Sequence, residues 1–384
     1  MKNGTGFERH PTHPERIGDC AGAVPILRRA LGSIVLIAAA TMLAGCLHQP
    51  LSIWTDSQVQ GDIAGEIAAD VTARLPPTDT DQPLEPMDVP PGSGHAPSAR
   101  VAIVDVDGLL LNTDMVGPGA MGENPVSLFR ERLDRVACDR RVVAVVVRIN
   151  SPGGGVTASD MMWHDVKAFK AQTGLPVVAS VLDLGAGGAY YLATAADEIV
   201  AHPTSVIGGI GVILNLYNLR DTMAQFNVIG VPIKAGKKID LGSPIDALDE
   251  EGRKILQEMA DQFHHRFRDV VLANRPHVAA DDATNFDGRI FTATQAVERG
   301  LVDSVGYLND SIDAAAHLAG CQHVTATFYH RGDDRAGSIY SVTPNVPWQN
   351  GLLPLSLPGL DRSRLPTFLY LWQVDPTMEK LGGK

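Results

Sequence analysis

The stretch VVAVVVRINSPGGG, residues 142–155, joins an apolar run to three consecutive glycines. The run is apolar at successive positions, which is typical of a strand covered by helices on both faces of a sheet. Glycines at the end of such a strand let backbone N–H groups point at one spot in front of the next helix. The stretch therefore predicts an anion or oxyanion pocket. A phosphate loop is disfavoured because the spacing is not GxxxxGK[ST] and no lysine follows.

Similar apolar runs alternate with helical patterns from Val101 to about Leu318. This alternation predicts βαβ units and hence an α/β fold with a mainly parallel sheet. Apolar residues recur at helical spacing over 249–275, which predicts a long amphipathic helix for packing or oligomer contacts. We expect one domain over 100–320 and an irregular C-terminal extension over 321–384.

The N-terminal region has the pattern of a bacterial lipoprotein signal. Arg28 and Arg29 precede a short apolar run, and LAGC follows at residues 43–46. This order predicts a signal peptide over 1–45, lipid on Cys46 and a proline-rich tether over 46–99. The protein would then be exported and membrane-anchored, facing the periplasm or the cell exterior. A signal peptide with an incidental Cys46, or a signal anchor, is the alternative.

Composition limits the partners. The 384 residues are 45% apolar and 20% charged, and the formal net charge is −12, so nucleic acid and anionic membrane surfaces would be repelled. No His or Cys spacing indicates a metal site, and we expect no cofactor. Cys138 and Cys321 form either one disulfide or two free thiols, and both alternatives stay open.

A second turn has the shape of a hydrolase active site without its reactive group. In VLDLGAGGAYYLATAAD, residues 181–197, a strand passes through four small residues into an apolar helix. Such a turn can present a nucleophile at a helix N-terminus. This one carries neither a hydroxyl nor a thiol.

Four segments, in the same order, resemble the SppA-type signal peptide peptidases, which are serine proteases of the Clp protease/crotonase superfold. The resemblance implies a ββα spiral core, a ring-shaped oligomer and a Ser/Lys dyad that cuts signal-peptide remnants. The segments are RINSPGGGVTASD (148–160), GAGGAYYLATAADEIVAHPTSVIGGIGVI (185–213), AGKKIDLGSP (235–244) and DGRIFTATQAVERGLVDSVG (287–306).

Two positions depart from the family pattern. The resemblance puts the nucleophile on Gly187 and the general base on Ile239, and neither side chain can do that chemistry. Lys238 lies one residue before the base position, and Ser180 and Thr194 flank the turn as substitute nucleophiles. The oxyanion and substrate-binding positions that the resemblance implies are Gly153, Gly154, Gly155 and Gly188.

The sequence thus favours a pseudoprotease that binds extended peptides or signal-peptide remnants. It would form a homo-oligomeric ring or a mixed ring with an active paralogue. One alternative is an active signal peptide peptidase with a relocated nucleophile or base. Another is a crotonase-type acyl-thioester enzyme, which export from the cytoplasm disfavours.

Overall fold

The computed structural model describes residues 83–89, 99–113, 123–331, 337–341 and 368–372. All of them belong to one compact unit, Thr78–Lys384. The described residues form these elements, in chain order: β1 (Leu84–Asp88), β2 (Arg100–Leu110), α1 (Pro125–Cys138), β3 (Val142–Gly155), α2 (Val156–Thr173), β4 (Val177–Ala186), α3 (Gly188–Ala193), β5 (Glu198–Ala201), β6 (Val206–Gly208), α4 (Arg220–Gln225), α5 (Glu250–Asn274), a 3-10 turn (Ala283–Asn285), β7 (Ile290–Thr292), α6 (Ala293–Glu298), β8 (Ser304–Val305), α7 (Leu308–Leu318), β9 (Thr325–Arg331) and β10 (Leu369–Leu371).

A mainly parallel sheet runs through the molecule in the order β1-β9-β2-β3-β4-β5-β8. Neighbours from β9 to β8 are parallel, whereas β1 is antiparallel to β9. Strand β6 extends β4 in parallel and pairs with β7 in the antiparallel sense. The predicted α/β class with a mainly parallel sheet is therefore confirmed.

Helices cover both faces of the sheet, as the doubly apolar strands predict. In β3, Val145 and Val147 face the larger core, where α1, α2 and α3 pack. Ala144 and Val146 face a second core, where α7 packs. Because side chains alternate along a strand, a strand buried on both faces is apolar at most successive positions.

Helix boundaries follow local capping signals. Helix α1 begins after Asn124, whose side chain accepts hydrogen bonds from the N–H groups of Val126 and Ser127. Helix α5 begins after Asp249 and carries two glutamates in its first turn, which suits the positive end of the helix dipole. The long helix predicted over 249–275 is thus confirmed, with bounds one residue inside at each end.

Part of the predicted tether is wrong. Residues 84–88 form the edge strand β1, paired with β9, and Leu84 is buried. Pro86 is compatible with this position because an edge strand needs hydrogen bonds on only one side. The Arg100 guanidinium holds β1 through a 2.6 Å contact with Asp88. The signal peptide, Cys46 and the tether up to residue 82 lie outside the described residues.

The domain also continues past residue 320. Strand β9 lies between β1 and β2, and its Phe328 and Tyr329 are fully buried, so the predicted irregular extension over 321–384 is wrong there. Strand β10 is a second ordered part of the region 321–384. Cys138 and Cys321 are free thiols. Within the described ranges, none of the helices combines the length and the apolar character that crossing a membrane requires.

Candidate peptide-binding site

The first part of the site is the glycine turn that links β3 to α2. Gly153 has a φ of +99°, and a Cβ there would lie 2.0 Å from the carbonyl oxygen of Tyr370. A Cβ on Gly154 would lie 2.1 Å from the carbonyl oxygen of Leu110. Only glycine allows such close backbone contacts on both sides of the turn.

A hydroxyl holds this turn in place. The Gly153 N–H donates to Oγ of Ser151 at 3.1 Å, and that hydroxyl donates to the carbonyl oxygen of Gly108 at 2.5 Å. The Gly153 amide therefore already has an acceptor within the turn.

The second part of the site is the turn between β4 and α3. Gly187 adopts φ +56° and ψ −126°, and its N–H donates to the carbonyl oxygen of Gly208 at 2.9 Å. A Cβ on Gly188 would lie 3.4 Å from the Gly154 nitrogen and 2.0 Å from Oγ of Ser159. The two glycine turns are therefore in direct contact, and they bring Gly153, Gly154, Gly187 and Gly188 together.

Gly155 has a different environment. Its carbonyl oxygen accepts a 2.9 Å hydrogen bond from Oγ of Ser159, and its backbone pairs with Leu369. A Cβ there would make ordinary contacts of 3.7 Å or more. Its role is to continue the strand edge.

A groove runs between residues 152–156 and Ile213, and residues 368–372 of the same chain lie in it. On one side β10 pairs with the end of β3 in the antiparallel sense. The flanking bonds are Val156 N–H to the Phe368 carbonyl at 3.2 Å and Trp372 N–H to the Pro152 carbonyl at 3.0 Å. On the other side, Leu369 and Ile213 exchange two hydrogen bonds of 2.9 and 3.0 Å. The segment is therefore bound as an extended strand along both edges of the groove.

Tyr370 anchors this segment. Its side chain is fully buried and stacks on Tyr191, with ring centroids 5.3 Å apart. The Phe267 ring lies 4.6 Å from it, and the Tyr370 hydroxyl donates to the Phe263 carbonyl at 2.7 Å. Burial raises the pKa of Tyr370 well above its ordinary value, so the phenol stays a hydrogen-bond donor.

The peptide bond after Tyr370 lies against Gly187, the position predicted for the nucleophile. A Cβ on Gly187 would lie 2.3 Å from the Tyr370 carbonyl oxygen, 2.7 Å from its carbonyl carbon and 3.1 Å from the Leu371 nitrogen. A serine at 187 would therefore have its side chain directly beside this peptide bond.

The position predicted for the base is not buried beside this turn. Ile239 is 74% exposed. It lies in a loop, where its Cβ would be 3.9 Å from a Cβ built on Gly236. The neighbouring Lys238 contacts Asp249 at 2.6 Å and Glu251 at 2.9 Å. The hydrogen bond to Asp249, followed by that to Glu251, raises the pKa of Lys238. A lysine with a raised pKa stays protonated and cannot accept a serine proton.

The two substitute nucleophiles have structural partners. The Ser180 hydroxyl accepts a 2.8 Å hydrogen bond from Ser311 of α7. The Thr194 hydroxyl donates to the Tyr191 carbonyl at 2.6 Å and accepts from the Trp163 indole at 3.2 Å. Within the part of the chain that the structure describes, neither hydroxyl is bonded to a basic side chain that could activate it.

Sequence patterns did not identify two residues of the site, Ser159 and Tyr370. Ser159 contacts the second turn, yet it resembles any serine in the first turn of a helix. Tyr370 lies far along the chain, and the only available signal was the aromatic content of FLYLW, residues 368–372. The Tyr191 hydroxyl donates to Asp160 at 2.5 Å, and Arg266 contacts the same carboxylate at 2.6 Å, so α2, α3 and α5 meet there.

Comparison with known proteins shows similarity to one peptidase family. The model of peptidase family S49 matches residues 169–322, a region that includes both turn glycines Gly187 and Gly188 and excludes the glycine turn at 153–155. The chain is 33% identical over 190 residues to "Serine protease SPPA, chloroplastic" of Arabidopsis thaliana, which is 49% of this chain and 28% of that protein.

Bacterial relatives give the same result. The chain is 27% identical over 254 residues to "Protease 4" of Salmonella typhi, covering 64% of this chain and 40% of that protein. It is 25% identical over 229 residues to "Protease 4" of Haemophilus influenzae, covering 59% and 36%. The chain thus spans less than two thirds of the length of each of these relatives.

Proposed function

Because this chain belongs to the SppA-type signal peptide peptidases of family S49, we propose that it is a family member that binds extended peptides without cutting them. The observation that carries this proposal is the buried Gly187 at the position predicted for the nucleophile. Removing one member of a catalytic unit can cost about 10⁶ in turnover, so its absence leaves a protease effectively inactive.

The three residues that could replace the missing nucleophile or base are bonded to other groups, which also supports the absence of catalysis. Lys238 is held as a cation by two carboxylates, and the hydroxyls of Ser180 and Thr194 have other partners. A relocated dyad would need a hydroxyl and a neutral base within hydrogen-bond reach. None of these three residues meets that condition.

Peptide binding is supported by the groove. Its two edges offer backbone groups to a strand, which is the way that β-augmentation recognises extended peptides. The burial of Tyr370 against Tyr191 and Phe267 indicates that the groove prefers an aromatic or large apolar side chain at this position. Remnants of signal peptides, which are apolar, have the corresponding chemistry.

Export and anchoring complete the proposal. Lipid on Cys46 would hold the domain at a membrane surface outside the cytoplasm, and the motif LAGC after a short apolar run supports this. Mass spectrometry of the mature N-terminus tests it. An acylated Cys46 at the first position is expected, and a retained leader or an unmodified cysteine contradicts it.

Hydrolysis and binding are tested together. The purified protein should leave casein and signal-peptide fragments intact while it binds a fluorescent peptide with the sequence of residues 367–373, TFLYLWQ. Gly153→Ala should weaken that binding, because its Cβ would meet the strand in the groove at 2.0 Å. Gly174→Ala is the matched control, since Gly174 also has positive φ but open space around it. Cleavage, or binding that neither change alters, contradicts the proposal.

A further inference from the structure

We propose that residues 368–372 are the resident ligand of the peptide groove and exclude other peptides from it until they are released. This inference rests on the proposed function, because it names what controls the same groove. Its first support is that the segment uses both edges of the groove. The backbone groups of 152–156 and of Ile213 that a foreign strand would need are already bonded.

The second support is the fit at the two glycines. The Tyr370 carbonyl oxygen lies where a Cβ on Gly153 or Gly187 would sit, at 2.0 and 2.3 Å. A serine at 187 would push the segment away. Gly187 therefore has two effects: it removes the nucleophile, and it makes room for the backbone of Tyr370 to stay in the groove.

The third support is the anchoring side chain. Burial of the Tyr370 ring against two other aromatic rings stabilises the bound segment, and the Tyr370 hydroxyl adds a hydrogen bond to the Phe263 carbonyl oxygen. The segment is covalently attached, so its effective concentration at the groove is on the order of millimolar. A peptide in solution can bind only the molecules whose groove is open. Its apparent affinity is therefore the intrinsic affinity multiplied by the fraction of open molecules.

A disulfide lock tests this in the full-length protein. Ile213 and Leu369 are directly opposite each other and exchange both backbone hydrogen bonds. Residues paired in this way have Cα atoms about 5.5 Å apart, which suits a disulfide. The variant Ile213→Cys/Leu369→Cys should oxidise readily. The pair Ile213→Cys/Tyr340→Cys is the control, because Tyr340 is exposed in the separate segment 337–341.

Binding of the TFLYLWQ probe is then measured in each state. We expect the oxidised lock to bind at least tenfold more weakly than wild type and reduction to restore the affinity. Tyr370→Gly, which removes the anchor, should bind at least tenfold more tightly than wild type. Tyr340→Gly should bind like wild type. Wild-type protein under the same oxidant controls for Cys138 and Cys321.

The outcomes separate the two proposals. No disulfide at 213 and 369 means that the segment does not occupy the groove, and the inference falls. A formed disulfide that leaves probe affinity unchanged also overturns the inference, while peptide binding stands. A formed disulfide with no probe binding by any variant, Tyr370→Gly included, supports the resident ligand and overturns the proposed function.

Discussion

The carbonyl oxygen of Tyr370 lies 2.3 Å from the place where a Cβ on Gly187 would begin. Gly187→Ser should therefore destabilise the protein for two reasons: a side chain at φ +56° costs about 1–3 kcal/mol, and overpacking against Tyr370 costs about 1–3 kcal/mol more. Urea unfolding measures the sum. Hydrogen exchange of residues 368–372 should become faster in the same variant.

Gly174→Ser provides the control for this prediction. Gly174 has a φ of +70° and no neighbouring atom within 4 Å of a built Cβ. The Gly174→Ser variant should lose only the unfolding free energy that a side chain at positive φ costs. Equal destabilisation by the two substitutions would contradict the close approach of Tyr370 to position 187.

A buried ion pair links the sheet to the segment 337–341. Nε of Arg148 contacts Asp105 at 2.6 Å, and the same guanidinium donates to the carbonyl oxygens of Ile339 and Ser341 at 2.5 and 2.8 Å. Asp105→Ala leaves a buried charge without this carboxylate and should cost about 3–5 kcal/mol of unfolding free energy. Asp134→Ala, which breaks an exposed pair with Arg130, should cost under about 1 kcal/mol.

Opposed titrations are predicted beside this ion pair. Burial, then the charge of Asp105, raises the pKa of Asp107 to about 6. Burial, then the charge of Arg132, lowers the pKa of His330 to about 4. The contribution of Asp107 to stability is present below pH 4 and is lost as pH rises to 6. The contribution of His330 is present above pH 6.5 and is lost as pH falls to 4.

Single substitutions should separate these two titrations. In Asp107→Asn only the His330 effect remains, so stability should fall relative to wild type by on the order of 1–3 kcal/mol between pH 6.5 and 4. In His330→Gln the relative change should have the opposite sign. Urea unfolding across this pH range measures both. Parallel profiles for the two variants would contradict the assignment.

An exposed apolar segment supports assembly into an oligomer. Between residues 226 and 233, Ile233 is fully exposed, and Val231 is 80% exposed. Contiguous exposed apolar surface marks an interaction site, and we expect a second copy of the chain to cover it. Ile233→Asp should reduce the particle mass measured by light scattering, whereas Tyr340→Asp should not. A wild-type monomer at micromolar concentration contradicts this expectation.

The sequence predicts the sheet well because residues such as Val145 and Val146 are apolar on successive positions and need helices on both faces. The sequence also predicts the two glycine turns, because the order and spacing of their glycines resemble those of an SppA-type site. The sequence does not predict β1, β9 and β10, because short strands at the edge or from distant chain segments have weak local patterns. The location of Tyr370 depends on tertiary packing, which no local pattern encodes.

Covalent labelling by a fluorophosphonate tests most directly whether the chain has lost catalysis. The probe reacts with activated serine and threonine hydroxyls, and its adduct is located by mass spectrometry of the full-length protein. The chain should remain unlabelled, both as wild type and in the Tyr370→Gly variant with a released groove. An adduct on Ser151, Ser159, Ser180 or Thr194, with peptide cleavage that is lost on substitution of the labelled residue by alanine, would contradict the account.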